Sequence, residues 1–93
     1  MELLSESDID ARLPALSSAW RREGDAIVAE LECEDFATAV ELVNKIAELA
    51  ERADHHPDIL IHRYRRLAIT LTTHSAGGLT RRDFEVARAI DAL

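Results

Sequence analysis

Ninety-three residues, 47% hydrophobic and 31% charged, describe one small domain, residues 1–93, with a single core. A formal net charge of −7 argues against a nucleic-acid partner, because phosphate contacts need clustered Lys and Arg, and the short group Arg63, Arg65, Arg66 does not reverse that balance. The lone Cys33 leaves no internal disulfide to form and fits a reducing, cytoplasmic setting. The acidic start MELLSESDID is not a signal peptide, and no apolar run approaches the length that spans a membrane.

The first element is a short helix. Ser7 is a suitable N-cap, Asp8 and Asp10 suit the positive end of the helix dipole, and Ile9, Leu13 and Leu16 share one face. Pro14 falls inside that pattern, so the helix should kink or restart there. Trp20 opens a strand that ends at the turn Gly24-Asp25. In the next strand Ile27, Ala29, Leu31 and Cys33 alternate with an outer set of Val28, Glu30, Glu32 and Glu34.

The strongest periodicity is in DFATAVELVNKIAELAERAD. Asp35 caps a helix uninterrupted by Gly or Pro, with one apolar stripe through Phe36, Val40, Val43, Ala47 and Ala50. A second runs through Ala39, Leu42, Ile46, Leu49 and Ala53. A face that wide predicts packing on a sheet and on something further, either another helix or another subunit. Pro57 ends the helix, since it disfavours helical geometry at His56.

A hairpin follows. Leu67, Ile69 and Leu71 alternate with Ala68, Thr70 and Thr72. A three-residue loop, Tyr64 to Arg66, places Ile59 and Ile61 on the apolar side and turns His62 away from the core. Gly77-Gly78 then breaks the chain, Thr80 caps a last helix, and Asp83 completes a capping box ahead of Val86, Ile90 and Leu93. The fold class is α+β: a four-stranded antiparallel sheet with three helices on one face, in the order α-β-β-α-β-β-α.

Four histidines stand out in so short a chain, and three of them lie where the topology gathers them. His55 and His56 occupy an abrupt helix-to-strand junction, and His74 follows the paired strand at the same end of the ladder. Metal binding is not expected. Adjacent histidines in an extended segment point opposite ways, and no cysteine pair or helical His spacing assists them. Acid–base chemistry fits better, because imidazole changes charge near neutrality and one ring can donate while another accepts. Glu51, one helical turn before His55, can orient an imidazole. The residues by themselves indicate an acid–base site without a cofactor and name no substrate.

The spacing supplies a resemblance. Glu51, three residues, His55-His56-Pro57, six residues, Tyr64, nine residues, His74, eight residues and Asp83 together resemble the signature of the pterin-4a-carbinolamine dehydratases. Trp20 and the stretches EDFATAVELVNKIAELAE, HHPDILI, AITLTTHSAGGLT and RRDF extend the likeness over nearly the whole chain. The turn before Trp20 (LSSAW), Pro14 and the hairpin tip YRR depart from the family pattern. In the tip, Arg65 stands where an asparagine would better tolerate left-handed geometry.

The resemblance implies dehydration of 4a-hydroxytetrahydropterin, left by aromatic amino-acid hydroxylases, to quinonoid dihydropterin, with pterin as substrate and no cofactor. His55 and His74 would form the acid–base pair and His56 would position the pterin. Glu51 would support the histidines, Asp54 and Trp20 would border the substrate, and Asp83 would help hold His74. It further implies a homodimer or homotetramer. The alternative it carries is a non-catalytic interaction or assembly role on the helical oligomer surface. Retention of Glu51, His55, His56 and His74 favours the enzyme.

Overall fold

The structure, a computed structural model, describes residues 2–93. In chain order it comprises α1 (Glu6–Arg12), a 3-10 turn (Leu13–Ala15), β1 (Trp20–Glu23), β2 (Ala26–Glu32), α2 (Phe36–Ala53), β3 (Asp58–His62) and β4 (Arg66–Leu71). A second 3-10 turn (His74–Ala76) and α3 (Arg81–Asp91) complete it. The expected α-β-β-α-β-β-α order and fold class are those observed.

The four strands form one antiparallel sheet in the order β1-β2-β4-β3, so the second strands of the two hairpins pair at its centre. Ile27, Ile69 and Leu71 of the central strands meet Ile9 of α1, Ile46 and Leu49 of α2, and Phe84 and Val86 of α3 in a single core. Strand periodicity explains the match: alternate residues face the helices, and both central strands carry aliphatic side chains there.

Local details depart from the sequence expectations in instructive ways. The N-cap of α1 is Ser5, whose Oγ accepts from the Asp8 N–H at 3.2 Å, and not Ser7. Pro14 does restart the helix, as a 3-10 turn in which its missing N–H costs nothing. Val28, expected on the outer face, is only 7% exposed. Its cross-strand neighbours are Arg21 and Thr70, and a long arginine stem covers apolar surface readily. Cys33 is half-buried beyond the end of β2, and its N–H donates to the Arg65 carbonyl at 2.8 Å.

The second hairpin keeps the expected parity. Ile59 pairs with Ile69 and Ile61 with Leu67. The loop is Arg63–Arg65, one residue earlier than expected, because His62 pairs with Arg66. Arg63 and Tyr64 carry the left-handed geometry, with φ of 48° and 55°, and Arg65 is instead salt-bridged to Glu32 at 2.8 Å.

The long helix divides its two stripes unequally. Ala39, Ile46, Leu49 and Ala50 are buried, Ile46 and Leu49 in the core shared with the sheet, while Val40 and Val43 are half-buried and Phe36 is 54% exposed. Asp35 caps this helix by accepting from the Thr38 N–H at 2.8 Å, and that hydrogen bond holds its carboxyl below the ordinary value of 3.8.

Two predictions follow from this frame. Ile69→Ala should cost about 2–5 kcal/mol in urea unfolding, whereas Leu60→Ala, on the exposed face of β3, should change stability by less than about 0.5 kcal/mol. A comparable cost for the two would contradict an open outer sheet face. A carboxylate with a depressed folded-state pKa stabilises above its unfolded value and loses that contribution as pH falls through the folded one. The melting temperature of the parent protein should therefore fall more steeply than that of Asp35→Asn as pH drops below 3.8. Parallel curves would refute the link to Asp35.

Candidate active site

The site is assembled where α2 stops. Asp54 adopts a left-handed conformation, with φ of 49°. The His55 N–H reaches back to the Ala50 carbonyl at 3.1 Å, and the Asp54 N–H to that of Glu51 at 3.2 Å. This is the Schellman pattern, usually built on glycine; aspartate is among the few residues that tolerate it. The reversal turns His55 inward, where it is 9% exposed, and leaves the next residue, His56, at the surface.

β3 then starts at Asp58, opposite Thr70 near the end of β4, so the residues after β4 return to the same end of the sheet. Gly77, left-handed with φ of 79°, closes the 3-10 turn that begins at His74. Thr73 pairs with Gly78 across it.

Asp83 sits beneath this junction with no exposed surface. Its Oδ2 accepts from the Thr73 hydroxyl at 2.8 Å and the Thr80 N–H at 2.9 Å, and its Oδ1 lies 2.6 Å from His55 Nε2. A carboxylate only accepts, so this bond takes its proton from Nε2 and leaves Nδ1 as the ring nitrogen not engaged by Asp83. Thr73 commits its single proton to Asp83, which makes the Thr80 hydroxyl the donor across their 2.9 Å contact. Among the described residues, no buried side-chain polar atom is left unpartnered.

His55, His56 and His74 line one open cleft of about 290 Å³ with Asp54, Thr72, Thr73, Ser75 and Arg82. His56 Nε2 bonds Glu51 Oε2 at the surface, and His74 is exposed, with no side-chain hydrogen bond among the described residues. Such a cleft offers a held imidazole, a second paired with an exposed carboxylate, and a third free to approach a ligand. Among the described residues, no group of three or more His, Cys, Asp and Glu side chains is arranged to hold a metal ion.

The expected residues are thus partly gathered and partly reassigned. Asp83 holds His55 and not His74, because the start of α3 packs beneath the segment that leaves α2. Glu51 serves His56 alone. Asp54 lines the cleft. Trp20 is absent from its lining: it is 6% exposed, and its Nε1 donates to Asp91 Oδ1 at 2.9 Å, while Asp91 Oδ2 accepts from the Ser17 N–H. Sequence reasoning singled out neither Thr73 nor Arg82. Their signals were position, beside His74 and Asp83, and membership of the family-like stretches AITLTTHSAGGLT and RRDF.

A small α+β domain with three histidines converging at one end of its sheet defines the class of protein. The family profile described as pterin 4 alpha carbinolamine dehydratase matches residues 2–93, and the chain belongs to that family. A relative from Nocardia farcinica is 52% identical over 99% of this chain and 95% of its own length. Another from Acidobacterium capsulatum is 48% identical over 100% and 99%. Both bear the name pterin-4-alpha-carbinolamine dehydratase, given provisionally.

A solved structure from Brucella melitensis, described as a transcriptional coactivator/pterin dehydratase, superposes with a TM-score of 0.88 at 36% identity, covering 96% of this chain and 95% of that one. A pterin dehydratase-like protein described as a RuBisCO assembly factor in the alpha-carboxysome shares the fold, with a TM-score of 0.66 at 22% identity over 80% and 87% of the two chains.

Asp83→Ala would strand three donors, the Thr73 hydroxyl, the Thr80 N–H and the His55 Nε2–H. At about 1–3 kcal/mol for each unpaired buried group, chemical denaturation should show a loss of at least about 3 kcal/mol. A loss below about 1 kcal/mol would contradict the network.

Proposed function

We propose that this protein dehydrates 4a-hydroxytetrahydropterin, eliminating water to give quinonoid dihydropterin. The observation that carries the proposal is the convergence of His55, His56 and His74 on one cleft, with His55 held by buried Asp83. Family membership along residues 2–93 supports it.

The chemistry needs one proton delivered and one removed. The C4a–O bond breaks as an acid protonates the departing hydroxyl. The N5–H bond releases its proton to a base, and its electrons form the C4a=N5 double bond. His55 is the base: neutral, it offers Nδ1, and the imidazolium that forms keeps its Nε2–H on the Asp83 carboxylate. His74 is the acid, its exposed ring free to reach the hydroxyl. His56, paired with Glu51, positions the pterin beside Asp54. The reaction takes no metal and no redox cofactor, since only protons move. In a cytoplasm that also holds an aromatic amino-acid hydroxylase, the activity would recycle that enzyme's pterin.

Stopped-flow dehydration of freshly generated 4a-hydroxytetrahydropterin tests this. His55→Ala and His74→Ala should each slow the reaction about 100-fold or more, as loss of an acid–base group does. A folded parent protein that matches the uncatalysed rate would sink the proposal.

The half-buried Val40 and Val43 beside exposed Phe36 favour a self-association surface on α2, the same face an interaction or assembly role would use. The chain is accordingly a homodimer or homotetramer. Light scattering at micromolar concentration should give a multiple of 10.4 kDa, and a mass equal to 10.4 kDa would refute it.

A further inference from the structure

A second cavity, about 570 Å³ and thus larger than the histidine cleft, opens between α2 and α3. His55 and Arg82 line both spaces, so the two meet at the imidazole assigned as base. Its apolar floor is the buried Leu49 and Val86, flanked by exposed Ala53 and Ala89, and its polar rim is Arg52, Arg81, Arg82 and Glu85. Three guanidiniums against one carboxylate make a locally cationic rim on a chain whose net charge is −7. Arg21, Arg22 and Arg65 are ion-paired, whereas Arg52, Arg81 and Arg82 have no such partner among the described residues.

The covalent structure of a pterin links this cavity to the reaction. N5, which loses its proton, is bonded directly to C6, and C6 carries the substituent that distinguishes one pterin from another. A base at N5 therefore stands beside whatever volume receives that substituent. For His55, one neighbouring volume is the cleft that holds the ring and the other is the cationic cavity.

We propose that the cavity between α2 and α3 is a specificity subsite for a negatively charged C6 substituent, a phosphate or carboxylate, clasped by Arg52, Arg81 and Arg82. This rests on the reading of the cleft as a pterin site. Guanidinium forks match both oxyanions, and the apolar floor accommodates the linking carbons or an aryl spacer.

The test is calorimetric binding of 6-hydroxymethyl-7,8-dihydropterin, its phosphate monoester, and 7,8-dihydrofolate, whose C6 arm ends in carboxylates. The protein should bind at least one anionic probe about tenfold more tightly than the neutral one, as two or three partly exposed ion pairs would give. That preference should weaken with added salt. Which anionic probe wins identifies phosphate or carboxylate as the group clasped. The double variant Arg52→Gln/Arg81→Gln should lose the preference while its affinity for the neutral probe stays within about twofold. Equal affinity for all three probes overturns the subsite, as does a uniform loss in the variant.

None of the probes carries a 4a-hydroxyl, so binding does not depend on turnover. An arginine-dependent preference in a protein that fails to dehydrate the carbinolamine would refute the catalytic reading alone. Dehydration without any preference would refute the subsite alone.

Discussion

The buried carboxylate of Asp83 is the interaction on which the rest of the site depends. A buried carboxylate needs donors on its oxygens, and here they come from three separate places: the segment after β4, the N-terminus of α3, and His55, two residues past the end of α2. Satisfying one group therefore ties together three separate parts of the chain. One of these bonds, from the Thr80 N–H, closes the capping box that starts α3. Helix initiation and imidazole orientation are in this protein a single constraint.

From that anchor the three histidines acquire different surroundings although two of them are adjacent. His55 is buried and fixed through Nε2, His56 is paired with an exposed carboxylate, and His74 rides on a short 3-10 turn. The turns that create the difference carry left-handed residues at Asp54 and Gly77. The backbone hydrogen bonds that close the reversal offset the local cost of placing Asp54 there, and the reversal leaves one of two consecutive histidines buried and the other exposed.

Much of the frame was legible in the sequence because it is written in short-range periodicity. The unbroken run after Asp35, the alternation around Ile27 and Ile69, and the Thr80–Asp83 pair each report a backbone state within a few residues. The misplacements lie where two local solutions were nearly equivalent. Ser5 and Ser7 both offer a capping oxygen, and a hairpin loop moved by one residue keeps every aliphatic side chain on the same face. Arg63 and Tyr64 accept left-handed geometry against their own preference, because the pairing on either side dictates the turn.

The sequence by itself determined the order of elements, the core-facing aliphatic set of β4, the end of the sheet at which His55, His56 and His74 gather, and the family to which their spacing belongs. Only the tertiary structure decided which carboxylate serves which imidazole. Asp83 is 28 residues from His55, much farther along the chain than from His74, yet it bonds His55 because α3 packs under the exit from α2. The placement of Trp20 on Asp91, 71 residues away, was settled in the same manner. Hydrogen-bond partners are chosen by distances of about 3 Å in space, and sequence separation carries no information about those once helices and sheet have packed.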